Sequence, residues 1–85
     1  MAPRRMLKSV HTAEQLAFRE LMIAARKHAG LTQQELATRL KRPQSFVAKY
    51  EGGERRLDVI EFIAVAQAID ADPVRILRTL IQRTG

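Results

Sequence analysis

The chain has 85 residues, 46% of them hydrophobic and only 5% aromatic, which is room for one small domain with a modest core but not for two. Its 15 Lys and Arg against 9 Asp and Glu give a formal net charge of +6, which favours a polyanionic partner because clustered cations gain by neutralising phosphates and releasing counterions. The lack of cysteine excludes a disulfide scaffold and thiolate zinc ligands and suits a reducing cytoplasm, and no stretch approaches the roughly 18 apolar residues of a membrane span.

Residues 1–11, MAPRRMLKSVH, carry Arg4, Arg5 and Lys8 with no acid and show no usable periodicity. They read as a basic flexible N-terminal arm, either a solvated tail or a DNA-contacting extension, and they lack the continuous apolar core of a signal peptide. A soluble, cytoplasmic chain is therefore expected, with residues 12–85 forming the domain.

From Thr12 the pattern turns helical. Thr12 is a plausible N-cap, Phe18, Leu21, Met22, Ala25 and Ala29 recur at spacings of three and four, and Gly30 supplies the stop. Arg19 and Lys27 are expected on the outer, basic surface of this helix. A second helix begins at TQQE, a capping box in which the Thr32 hydroxyl and the Glu35 carboxylate satisfy orphan amides, and Leu36, Ala37 and Leu40 form its buried side. Ala37 is small enough for another helix to cross closely.

In the third helix Pro43 suits a first-turn position, where its missing N–H is harmless. Advancing about 100° per residue puts Val47 and Tyr50 on one side and Gln44, Ser45, Ala48 and Lys49 largely opposite, with Phe46 between. GGERR breaks this helix and makes a basic loop. Asp58 and Glu61 repeat the capping box ahead of a fourth helix with core positions Phe62, Val65, Ala66 and Ile69, and Asp72 and Pro73 open a fifth. On that last helix Val74, Leu77 and Ile81 make one apolar stripe, and Ile76 and Leu80 make a second about 100° away. One core rarely needs both, so Ile76 and Leu80, with Ile81, are expected in a dimer seam, the other reading being that Ile76 and Leu80 simply finish the core. No two-residue alternation or β-branched run signals a strand, so the fold class is all-α.

From about Leu21 to Leu80 the sequence resembles the phage-repressor and Cro-like (XRE) helix-turn-helix family. The resemblance is densest in GLTQQELATRL followed by PQSFVAKYEGGERRLDV, and VAQAIDADPVRIL is similar to the family's closing pair of helices. It implies a five-helix bundle of the lambda-repressor-like type, in which the second and third helices form the DNA-reading unit and the third enters the major groove. Gln44, Ser45 and Lys49 fall where family members contact base edges; an amide can pair with adenine in a bidentate manner and a lysine can donate to guanine. Gln33 matches the family's phosphate-binding glutamine. Thr32, Arg42, Arg55 and Arg56 are further phosphate candidates. Phe46 is grouped with these backbone contacts, with two readings left open: against a thymine methyl or sugar, or covering the core edge. Arg26 and Glu51 match a pair that ties the first helix to the end of the third as a structural ion pair in several relatives. Two departures stand out, Lys41 and Asp70, where relatives have glycine at helix ends; a changed turn at Lys41 would move the reading helix.

The function implied is a sequence-specific regulator of transcription that binds double-stranded DNA, a repressor acting as a homodimer on a palindromic operator. The alternative is a protein-interaction module or an antitoxin-type component that works through a toxin or another protein partner. An enzyme is not expected: there is no cysteine nucleophile, His11 and His28 have no acid at a suggestive spacing, and the Gly52–Gly53 pair is too short to cradle a phosphate. Neither a metal site nor a cofactor is expected.

Overall fold

The computed structural model describes residues 12–84, and the basic arm expected at residues 1–11 lies outside them. Five helices follow in order: α1 (Ala13–His28), α2 (Gln33–Leu40), α3 (Gln44–Glu51), α4 (Val59–Ala68) and α5 (Pro73–Thr84), with no strand among the described residues. The helix starts follow from local chemistry. Thr12 Oγ1 accepts from the Gln15 amide at 3.1 Å, and both expected capping boxes form, Thr32 with Glu35 and Asp58 with Glu61. The Thr32 amide and hydroxyl hold the Glu35 carboxyl below its usual range. Pro43 sits one position earlier than expected, as the extended N-cap of α3 rather than in its first turn, so α3 starts without a side-chain cap.

Three helices end in the same way. Gly30, Lys41 and Asp70 are left-handed, with φ of 76°, 57° and 56°, and the next residue's amide bonds back five residues: Leu31 to Arg26, Arg42 to Ala37 and Ala71 to Ala66. This Schellman geometry satisfies the last carbonyls and turns the chain sharply. Lys41 and Asp70 therefore keep the turn that glycine would give, and the reading helix is not displaced by a different one. Lysine pays for that shape with a crowded Cβ, about 1 to 2 kcal/mol. Lys41→Gly is expected to stabilise the domain by about 1 kcal/mol after glycine's own entropy loss, which raises the thermal midpoint by roughly 4 to 8 °C. A lower midpoint in a calorimetric scan would contradict this account of the turn.

The core is built where α1, α2, α3 and α4 meet. Met22, Leu36, Val47 and Val65 are less than 2% exposed, and Ala37 is fully buried, which lets α3 lie close on α2. Phe18 and Phe62 meet edge-to-face with centroids 5.4 Å apart. Arg39 of α2 donates to the Ala68 carbonyl at 2.8 Å and so caps the end of α4. Arg19 departs from its expected place on a basic surface: it is half-buried, and its guanidinium lies against Gly53 in the space a Cβ there would take. A left-handed glycine at 53, with φ of 82°, lets the loop after α3 pass beneath this α1 arginine.

The two stripes of α5 divide opposite to expectation. Ile76 packs against the core and Leu80 is half-buried beside it, because these are the residues α5 turns toward the bundle. Val74, Leu77 and Ile81 are the ones left outside, at 57%, 43% and 66% exposure. Of the residues expected in a dimer seam, only Ile81 stands clear of the domain.

Candidate nucleic-acid interface

Helix α3 presents one polar side outward because its other side is committed to the core. Phe46, Val47 and Tyr50 are buried, and Gln44, Ser45 and Lys49 are exposed. Burial pushes the Tyr50 phenol above its usual range, so it stays neutral beside Glu51. Among the described residues, Ser45 and Lys49 have no side-chain hydrogen bond or ion pair, which leaves a hydroxyl and an ammonium available to a partner.

Behind this face runs a chain of polar contacts. Arg26 donates Nε and Nη2 to the two oxygens of Glu51 at 2.8 and 3.0 Å and Nη1 to the Leu31 carbonyl at 2.7 Å. The pair is buried, with side chains 10% and 5% exposed, and it ties α1 to the end of α3 and to the loop before α2. Gln33 donates Nε2 to Glu51 Oε1 at 2.9 Å, and Gln44 donates Nε2 to Gln33 Oε1 at 3.4 Å. The ionised Glu51 only accepts, so Gln33 must turn its NH2 inward and its carbonyl toward Gln44. Gln44 in turn must offer an N–H. Gln44 is exposed, and its carbonyl oxygen and second N–H have no hydrogen-bond partner among the described residues, which leaves an acceptor and a donor of the kind that matches adenine N6 and N7. A charge buried under the surface thus orients an amide on it.

Of the positions expected to touch phosphate, Thr32 and Gln33 stand at the start of α2, where the helix dipole favours an anion. The Thr32 hydroxyl accepts from the Glu35 amide at 3.0 Å. Arg42 precedes α3, and Arg55 and Arg56 follow it. Phe46 is 9% exposed and packs edge-to-face on Tyr50, so it covers the core edge; on its ring lie the guanidiniums of Arg42 and Arg55, 4.6 and 5.0 Å from the centroid.

A family model described as "Helix-turn-helix" matches residues 22–76, well over half of the chain. An XRE-family like protein from Pseudomonas syringae pv. tomato str. DC3000 is 50% identical, superposes with a TM-score of 0.83, and is matched over 89% of this chain and 93% of its own. The chain belongs to the XRE helix-turn-helix family. The fold also recurs in the clp gene regulator ClgR from C. glutamicum, at 17% identity, a TM-score of 0.75 and coverage of 88% of this chain and 97% of that one. The restriction-modification controller protein C.AhdI from Aeromonas hydrophila is 26% identical with a TM-score of 0.69, over 76% of this chain and 98% of its own. No curated protein matches the chain.

As an XRE-family domain the chain is of a DNA-binding, regulatory type, and that family is not one of enzymes. Among the described residues no cluster of His, Asp and Glu is arranged to hold a metal ion, and no helix is long and apolar enough to cross a membrane. One residue of this XRE protein's site was not legible beforehand. Glu61 reads in the sequence as a capping-box glutamate only, yet its carboxylate also takes both terminal nitrogens of Arg55, at 3.2 and 3.0 Å. The five residues between them include a loop, so no helical spacing announces the pair.

Proposed function

We propose that this chain is a transcription regulator that binds double-stranded DNA sequence-specifically, with α3 in the major groove, and that it represses by occupying a palindromic operator as a homodimer. The observation that carries the reading is the outward amide edge of Gln44, preset through Gln33 by the buried Glu51 and flanked by the unengaged Ser45 and Lys49. Thr32, Gln33, Arg42, Arg55 and Arg56 lie around that face as phosphate contacts, which fix register without reading sequence. The dimer follows from scale: one short helix reads only a few base pairs, and useful affinity needs two half-sites about one turn of DNA apart. The exposed stripe of Val74, Leu77 and Ile81 on α5 supports it, as an apolar surface a second copy would cover. The chain needs nothing beyond site occupancy to block a polymerase.

The test is selection of bound fragments from a random duplex library, followed by rebinding of the winner over a salt series and sedimentation of the free protein. A palindromic motif is expected, with a dimeric protein and a steep loss of affinity as salt rises. Weak binding that is alike for all sequences would instead favour the alternative, a module whose α5 stripe grips a toxin or another protein.

A further inference from the structure

Four side chains meet at the edge of α3, drawn from α3, from the loops on either side of it and from α4. Arg42 lies just before α3, Phe46 is on it, Arg55 follows it in the loop, and Glu61 stands in the first turn of α4. Glu61 is only 14% exposed and serves two roles at once. One oxygen accepts from the Asp58 amide at 3.0 Å and completes the capping box, while the carboxylate as a whole faces Arg55 Nη1 and Nη2, and Arg42 Nη2 at 3.9 Å. Both guanidiniums also rest against the Phe46 ring. Hydrogen bonds from Arg55 and from the Asp58 amide hold the Glu61 carboxyl below its usual range, so the anion persists well into acid.

Two like charges gathered at one ring repel each other, and each arginine has many free rotamers to escape into. One shared carboxylate removes the repulsion and fixes both planes. The cluster still carries a net positive charge, and the Arg42 and Arg55 side chains are 50% and 38% exposed, with N–H groups beyond those given to Glu61. We infer that Glu61 is a positioning residue for DNA binding, holding Arg42 and Arg55 against Phe46 as a paired phosphate clamp that brackets the reading helix. An acid beside a polyanion thus strengthens the contact, because it orders two cations at the cost of one negative charge. The inference rests on the DNA-binding reading above.

Glu61→Gln separates positioning from charge, because the two predict opposite signs. Glutamine still accepts from the Asp58 amide and is a normal capping-box residue, so α4 keeps its start. The variant also gains one unit of positive charge, which by itself would tighten binding and steepen its salt dependence. If Glu61 orders the clamp, affinity for a mixed-sequence duplex, followed by fluorescence anisotropy across a salt series, falls roughly tenfold and the salt slope becomes shallower by about 1. In an Arg42→Ala, Arg55→Ala background the same change should no longer weaken binding and should leave only the small tightening from the added positive charge. Arg55→Lys provides a second probe that leaves α4 untouched: it keeps the charge, loses the planar fork, and should weaken binding by a few fold. Tighter or unchanged binding by Glu61→Gln, or an equal loss in the double-alanine background, would overturn the clamp. A wild-type protein with no salt-sensitive affinity for duplex DNA would overturn the DNA-binding reading itself, and the clamp with it.

Discussion

Arg26→Leu should destabilise the domain by about 3 to 5 kcal/mol, the range seen when one partner of a buried ion pair is removed. The Glu51 side chain is only 5% exposed, so it cannot recover water for the two hydrogen bonds it loses. Among the described residues Gln33 would be its one remaining side-chain partner, and the Leu31 carbonyl would lose its 2.7 Å donor. A domain this small holds on the order of 5 to 10 kcal/mol in total, so the variant should lose roughly a third or more of its stability. Urea unfolding followed by helical circular dichroism checks this. The companion Arg26→Leu, Glu51→Leu variant should recover much of the loss, since it leaves no orphaned charge in the interior. A loss under about 1 kcal/mol for Arg26→Leu alone would mean that the carboxylate relaxes into solvent and that the pair contributes no more than an exposed one.

Gln44→Ala should cost roughly 1 to 3 kcal/mol on the preferred duplex and relax preference at a single base position, leaving other positions unchanged. On the proposed reading Gln33→Ala should weaken binding to every sequence, because a phosphate contact carries no base information. The structure adds a coupling between the two. Gln33 Oε1 accepts from the Gln44 amide and so orients it, and Gln33→Ala should also lose part of the preference at the Gln44 position. The double variant should then show less than the sum of the single losses. Titrations of the selected duplex and its single-base variants measure all three. If Gln33→Ala relaxes one position while Gln44→Ala weakens all alike, the assigned roles are reversed.

The elements could be read in the sequence because their signals are local. Thr12, the Thr32 and Glu35 box, the Asp58 and Glu61 box, and Asp72 before Pro73 each act within a few residues of a helix start, and the structure forms them all. The outward set on α3 was legible for a similar reason: a 100° advance divides Gln44, Ser45 and Lys49 from Val47 and Tyr50 whatever lies around the helix. Periodicity failed where two faces compete. On α5 it finds both stripes, but which of them meets the bundle depends on how α5 leans on α1, and Ile76 went inward while Ile81 stayed out. Phe46 and Arg19 are of the same kind, since each takes its place from residues on other elements.

By itself, then, the sequence determined five helices, their boundaries within a residue or so, and the polar face offered by α3. These depend on backbone capping and on side-chain spacing along one helix, both fixed by neighbours in the chain. Tertiary structure alone decided that Arg26 and Glu51 are buried, that Gln33 passes the orientation of that charge to Gln44, and that Glu61 gathers arginines from both sides of the reading helix. Those contacts join residues 6 to 25 positions apart, brought within hydrogen-bond range only once the helices pack, and no local spacing encodes them. The reading surface is thus specified by the chain locally and oriented by the fold.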